Sequence, residues 1–551
     1  MKGRIQNICF VPECQSFLPF THDDSAFCIV NERSRVTQKH VNPWLIAFAV
    51  MFATFMEVLD TTVVNVSLPH IASTLSATTD EATWALTSYL VANAIILPMT
   101  GWLASRFGRK RLLMWSTAGF TAASFLCGAA PNLASLVLFR IIQGATGGAL
   151  QPLSQAVLLE SFKPEERGRA MGFWGLGIVV APIFGPVFGG WVTENYSWRW
   201  VFYINLPVGI VSLIMTQLYV FDPPYLRRES KGIDYWGMGM LVVGIGALQF
   251  VLDKGQQEDW FASTMITTLA VISAVGLIAL IVHQLRAKEP IIDLHLFTDR
   301  SYSVGVFLMT VLGFVLYGSL VLLPIMLQTL FGYPSLEAGE AMAPRGIGSL
   351  VMMPIVGVLT TKVDARKLLA LGLFIGGVTM IWLGQLNLQA GYWDIFWPQL
   401  LQGAGLALLF VPLTTVSMAT IAPQRMGYAT SLFNLMRNIG GGIGIAVTGT
   451  MLARQRQVNG ALLGEHVSAF DPTTTTVLEQ LKAGFMAAGA DIASATSQAY
   501  VALSGMIQRQ AAMVAFVSIF RLLGILFLLL IPLVLIMRRP KGRAGPAAGA
   551  H

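Results

Sequence analysis

Apolar residues arrive along this chain in blocks of about twenty, the length that lets a helix cross a hydrocarbon core of roughly 30 Å. The blocks fall near 43–68, 82–104, 111–129, 133–158, 168–193, 199–221, 233–253, 262–285, 301–330, 337–361, 366–388, 393–418, 426–452 and 512–537, about fourteen in all. A bilayer offers no water to unpaired backbone groups, so such segments fold as helices. The sequence therefore predicts an all-α polytopic membrane protein. Its charge agrees: only 12% of residues are Asp, Glu, Lys or Arg, about half of what a soluble chain carries.

Where the charge sits gives the orientation. Alternate short loops hold Arg106, Arg109, Lys110 and Arg111; Lys163, Arg167 and Arg169; Arg227, Arg228 and Lys231; Arg286, Lys288 and Arg300; Lys362, Arg366 and Lys367; and Arg425. The intervening short loops hold little beyond Arg199 and Lys254, and Arg538, Arg539, Lys541 and Arg543 follow the last block. By the positive-inside rule the richer set is cytoplasmic, and an even number of spans puts both termini there. The net charge of +7 is then a topology signal rather than a mark of nucleic-acid binding. Residues 1–42 are mixed and polar without the layout of a cleaved signal, which predicts a disordered cytoplasmic tail or an over-extended start. Cys9, Cys14 and Cys28 lie in that tail and Cys127 in a span, with no CxxC or Cys/His cluster, so neither a disulfide framework nor a zinc site is supported.

The first block contains Glu57 and Asp60, where a carboxylate costs on the order of 2.5–3.5 kcal/mol by insertion scales. At helical spacing Glu57, Asp60, Thr61 and Asn65 share a face, which reads as one wall of a polar pathway. Arg140, in the fourth block, either pairs with Glu57 or Asp60 or snorkels from its helix end. Asn93, Gln143, Gln151 and Gln155 supply further polar positions in this half; Gln328, Asn434 and Arg437 supply them in the other. Arg345, near the start of the tenth block, reads as structural.

The halves echo one another. Gly101-Trp102-Leu103-Ala104-Ser105-Arg106-Phe107-Gly108-Arg109 recurs loosely as Gly357 to Arg366, 256 positions later, and Gln143-Gly144-Ala145 as Gln402-Gly403-Ala404, 259 positions later. Such offsets predict a duplicated six-span unit, 43–221 and 301–537, with two extra spans and linkers in 222–300 and a cytoplasmic tail at 538–551. Duplicated bundles with a site at the repeat interface are a transporter architecture. Residues 453–511 form the only long external loop, either a solvated connector or a docking surface.

Together these residues resemble the major facilitator superfamily from about residue 43 onward. Leu59-Asp60-Thr61-Thr62-Val63-Val64-Asn65-Val66-Ser67-Leu68-Pro69 resembles the first-span motif of the fourteen-span drug:H+ antiporter branch. Gly101 to Arg111, with Gly108 and Arg109, resembles the superfamily's loop between spans two and three; Arg140 to Gly144 its span-four motif; and Gly172 to Gly190, with Gly185, Pro186, Gly189 and Gly190, the span-five motif of antiporters. Trp198 to Gly209 also resembles that fourteen-span branch, while Leu252-Asp253-Lys254-Gly255 with Asp259-Trp260-Phe261, Pro290 to Leu294, and Trp397-Pro398-Gln399 to Thr415 look most similar to the EmrB type. Two departures stand out: Ser105 replaces the loop's usual aspartate, and Ala181 a span-five glycine.

The resemblance implies a major facilitator fold of two six-helix bundles plus two central helices. It also implies export of hydrophobic small molecules in exchange for protons across a bacterial inner membrane, surrounded by lipid and driven by the proton gradient without a cofactor. Relatives of this type dock a periplasmic adaptor protein and, through it, an outer-membrane channel. On this reading Asp60 is the principal proton carrier, Glu57 a second carrier or substrate contact, and Arg140 the charge that tunes them. Two like charges one turn apart cannot both ionise cheaply, so their titrations are coupled. The rival from the same fold is a metabolite symporter or facilitator. A channel or sensor fits the duplication poorly, and no HExxH, Walker loop or metal cluster supports an enzyme.

Overall fold

The computed structural model describes residues 42–222, 232, 234–287, 289–468 and 470–537. The expectations for the first 41 residues, for Arg227, Arg228, Lys231 and Lys288, and for the basic tail from 538 fall outside the described residues, as does the side chain of Pro186. The described chain is helical, with no strand among those residues. In order it forms α1 (Pro43–Thr74), α2 (Trp84–Phe107), α3 (Arg109–Gly128), α4 (Leu133–Ser161), α5 (Arg167–Asn195), α6 (Trp200–Tyr219), α7 (Tyr235–Lys254) and α8 (Thr264–Arg286). The second half follows with α9 (Arg300–Leu330), α10 (Ser335–Lys362), α11 (Ala365–Leu383), α12 (Tyr392–Met418), α13 (Met426–Glu465), α14 (Pro472–Ala487) and α15 (Ile492–Leu529).

The turns between helices use polar caps where the apolar runs stop. Asn132 accepts from the Ser135 N–H at 2.9 Å and Ser135 returns the contact, a reciprocal cap that starts α4. Asp299 accepts from the Tyr302 N–H at 2.9 Å and starts α9. Outward-facing positions are apolar: Ile210, Ile214, Leu218, Val271, Val275 and Ile278 are all exposed. A soluble surface would not present such a belt, whereas lipid accepts it.

Among the described residues eleven helices are long and apolar enough to cross a membrane, and α5, bent by 43° between Pro182 and Val187, makes a twelfth if it is one span. Two of the fourteen expected spans, α3 and α13, fall short of that apolarity. The first opens on Arg109, Lys110 and Arg111; the second carries Asn434, Arg437, Asn438 and a glycine run. Both nevertheless pack within the bundles, α3 against α4 and α6 and α13 against α9 and α15.

Within 453–511 the described chain is largely helical. Helix α13 continues to Glu465, α15 already begins at Ile492, and α14 lies between them. Asp471 caps α14 and Asp491 caps α15, each accepting from two backbone N–H groups. The first alanine-rich stretch forms the second half of α14, and the second begins α15.

Helices α7 and α8 pack on each other, with the Ser273 hydroxyl donating to the Gly244 carbonyl at 3.0 Å. Helix α7 also touches both halves. Asp253 meets Thr87, and Lys254 donates to Thr83 at 2.6 Å, both on the α2 side. Just beyond α7, Gln256 accepts from Thr450 of α13 at 2.7 Å.

Candidate functional site: a buried acid–base centre and the seam beside it

Asp60 lies near the middle of α1 with none of its surface exposed. Its carboxylate accepts three hydrogen bonds: from Arg140 Nη1 at 2.5 Å, Gln143 Nε2 at 3.0 Å and Asn205 Nδ2 at 2.8 Å. Arg140 and Gln143 sit one turn apart on α4, so both reach the same acid. Asn205 comes from α6 and also donates to Ser124 of α3 at 3.0 Å. Arg140 is equally enclosed: its Nε donates to the Ala85 carbonyl at 2.9 Å, and its guanidinium lies 4.1 Å from the Tyr89 ring centre. Four helices thus converge on one neutralised ion pair, as a charge pair needs in a medium without water.

Of the two partners open to Arg140, the structure selects Asp60. Glu57, one turn earlier, faces elsewhere. Its Oε1 accepts from Asn93 of α2 at 3.0 Å, and its buried Oε2 has no hydrogen-bond partner. The two carboxylates therefore have separate partners. Thr61 turns its hydroxyl to the Val58 carbonyl at 2.8 Å, while Asn65 and Gln328 are exposed; these three join neither cluster.

The remaining polar candidates meet across the two halves. Arg437 of α13 donates to Gln151 of α4, Asn434 donates to Gln155 at 2.6 Å, and Thr430 donates to the Pro152 carbonyl at 3.0 Å. Arg437 is buried, and its Nε is left without an acceptor. These contacts form a seam between the halves on the side of the basic loops. Among the described residues, the direct side-chain hydrogen bonds joining the halves all lie toward that side.

The glycine-rich loop closes the same side. A Cβ on Gly101 would stand 2.7 Å from the backbone of Tyr428 on α13, so only glycine permits this approach. Gly108 has φ +89° between α2 and α3, and a side chain there would strike Asp222. Asp222 accepts from the Lys110 backbone N–H at 2.8 Å. Arg109 pairs with Glu160 at the end of α4 and donates to the Pro423 carbonyl at 3.3 Å. Arg106 lies over Trp102 and Phe107. Ser105, where the family loop carries an aspartate, lies 3.3 Å from the Tyr428 hydroxyl, and Asp222, just beyond α6, reaches the loop as Glu160 does. In α5, Gly185 and Gly189 pack against Thr62 and Val63 of α1, whereas Gly190 only grazes Val66.

Residues 50–445 match the family model described as Major Facilitator Superfamily. The chain belongs to that superfamily. Among its relatives, the multidrug export protein EmrB of Escherichia coli is 37% identical over 92% of this chain and 98% of its own. The EmrB protein of Haemophilus influenzae is 40% identical over 79% of this chain and 86% of its own. The fatty acid resistance protein FarB of Neisseria gonorrhoeae is 40% identical, covering 91% and 96%. Of solved structures, the human organic anion transporter MFSD10 superposes with a TM-score of 0.56 at 12% identity, covering 88% of this chain and 99% of that one. That likeness shows a shared fold.

Asn205, Ser124 and Tyr89 were not among the sequence-derived site residues. The available signal was a polar residue inside an otherwise apolar span, which in lipid marks a partner for something charged. Asp222 and Glu160 stand at helix ends, where an acid is ordinary, and only the folded loop shows what they hold.

Proposed function

We propose that this superfamily member is a proton-coupled multidrug exporter of a bacterial inner membrane, releasing hydrophobic and amphipathic compounds outward as protons enter. The observation that carries the reading is the Asp60–Arg140 ion pair, which has no exposed surface and is held by four helices. A proton added to Asp60 cancels the charge that draws Arg140, Gln143 and Asn205 together. Arg140 keeps only the neutral Gln143 and Ala85 oxygens, so α1, α4 and α6 are released to repack. The proton then leaves Asp60 toward the opposite side, and the pair re-forms. Each state binds proton and substrate unequally, which is the condition for coupling.

On this reading α3 and α13 cross the bilayer with the other twelve, and the positive-inside rule supports basic loops in the cytoplasm. The seam at Gln151–Arg437 and Gln155–Asn434 then closes the cytoplasmic side, which corresponds to an outward-facing state. Helix α14 and the adjoining ends of α13 and α15 stand outside, carrying Val458, Phe470, Tyr500 and Val501 exposed. These apolar side chains suit docking of a periplasmic adaptor, and through it an outer-membrane channel, as a tripartite pump requires. The multidrug export relatives support export of varied compounds, and the fatty acid resistance protein FarB supports acids among them.

The test is transport in everted membrane vesicles with an imposed proton gradient and a pH-sensitive dye. Addition of a lipophilic cation or a fatty acid is expected to dissipate the gradient in wild type but not in Asp60→Asn. Uptake in the direction of the proton, in place of efflux, would turn the reading to a metabolite symporter.

A further inference from the structure

The internal repeat carries the polar centre with it, and the second copy has a different charge. At the 259-residue offset Asp60 corresponds to Ser319, Arg140 to Gln399 and Gln143 to Gln402. At the 256-residue offset Tyr89 corresponds to Arg345 and Ser124 to Met380. The folded chain assembles these second-copy residues in turn. Gln399 donates to Gln402 at 3.2 Å, Gln402 contacts the Met380 sulfur at 3.4 Å, and Arg345 Nη1 reaches Ser319 Oγ at 3.4 Å. The first centre contains one cation and one anion. The second contains the cation alone.

Arg345 is 6% exposed, and its single hydrogen bond is a long one. Among the described residues no carboxylate lies within ion-pair distance of it. A guanidinium keeps its proton, so a buried one without an anion must take its counter-charge from outside the chain. Beside it lies a cavity of about 10 Å³, with Gln402 and Met380 on one side and Leu316, Leu406 and Phe527 on the other. That volume suits a single water-sized guest.

We propose that the C-terminal half holds an anion-binding site at Arg345, built from the duplicated copy of the acid–base centre and completed by a halide-sized anion or a carboxylate headgroup. Two sources supply this chemistry: free chloride, or the head of an amphipathic acid whose tail lies along the apolar wall. Only the second arm rests on the export reading. Binding is read without transport, so the two can fail separately.

The experiment is thermal unfolding of the purified full-length protein in detergent, titrated with chloride and separately with decanoate. Isethionate, whose sulfonate is bulkier than a halide or a carboxylate, keeps the ionic strength constant. A saturable rise in melting temperature is expected with one or both anions. It should be retained in Arg345→Lys and weakened about tenfold or more in Arg345→Gln, the loss expected when a charged hydrogen-bond partner is removed. A chloride response alone assigns a resident inorganic anion, and a decanoate response alone assigns a substrate headgroup. Should Arg345→Gln not fold, Ser319→Asp supplies the missing carboxylate internally and should melt higher while ignoring both anions. No saturable response to either anion, or a full response in Arg345→Gln or Ser319→Asp, overturns the site.

Discussion

Glu57 and Asp60 are the same chemical group one helical turn apart, yet they live in opposite surroundings. Asp60 points into the bundle and meets three donors from two other helices. Glu57 points toward the seam and meets one donor, leaving an oxygen bare, while Arg437 at that seam leaves an Nε bare. What separates them is the set of donors that neighbouring helices supply. The Asp60 carboxylate has both oxygens paired and ties neighbouring helices together until its charge changes, although Arg140 Nη2 and Asn205 Oδ1 beside it are bare, whereas Glu57 keeps a free oxygen as spare bonding capacity for a rearrangement or a guest.

The contrast sets an order of expected effects. Asp60→Ala leaves Arg140 as an uncompensated buried charge, costing about 3–5 kcal/mol. Thermal unfolding in detergent should show this loss, and Arg140→Gln should show a similar one. The combined Asp60→Asn, Arg140→Gln protein should regain part of the stability but none of the transport. Strictly additive stability losses would mean that the two residues do not act as a pair.

Asn205→Ala removes one donor to the carboxylate and should cost about 1.5–3 kcal/mol, with transport reduced but present. Gly101→Ala attacks the seam and leaves the Asp60 centre intact. Its methyl group would meet the Tyr428 backbone, so disulfide trapping between cysteines placed at Gln155 and Asn434 should fall while stability changes little. Unchanged trapping would show that the close approach at Gly101 does not govern the seam.

Glu57→Gln should be mild, within about 1 kcal/mol, because the amide oxygen still accepts from Asn93. Damage as severe as that from Asp60→Asn would erase the distinction between the two acids. The smallest effect is expected outside the membrane. Hydrogen bonds from the Thr474 side chain and backbone hold Asp471 below the ordinary aspartate value of 3.8, and Ser494 does the same for Asp491. A lowered folded value stabilises above the unfolded value, and that contribution is lost as pH falls through the folded one. Hydrogen exchange at the starts of α14 and α15 should therefore quicken only below the ordinary aspartate range.

Much of the fold was legible because lipid leaves few choices: apolar length gave the helices, and the duplicated Gly101 and Gln143 motifs gave two related halves. A first-span acid as partner for Arg140 was legible because a charge in a span needs one, but not that the acid is Asp60. The fate of Glu57 was not, since periodicity places it on nearly the same face as Asp60 and cannot say which helix stands opposite. In residues 453–511 the composition does not reveal that α13 and α15 continue into the segment and leave only α14 between them. Arg345 read as structural because only the folded chain shows that no acid accompanies it.

The most direct measurement is proton release on substrate binding. Purified protein in weakly buffered detergent, with a pH indicator, is mixed with a lipophilic cation and then with decanoate. If Asp60 is the proton carrier, a compound that binds wild type should release protons, and Asp60→Asn should bind the same compound without release. Equal release from both proteins would place the coupling proton elsewhere and contradict the role assigned to Asp60.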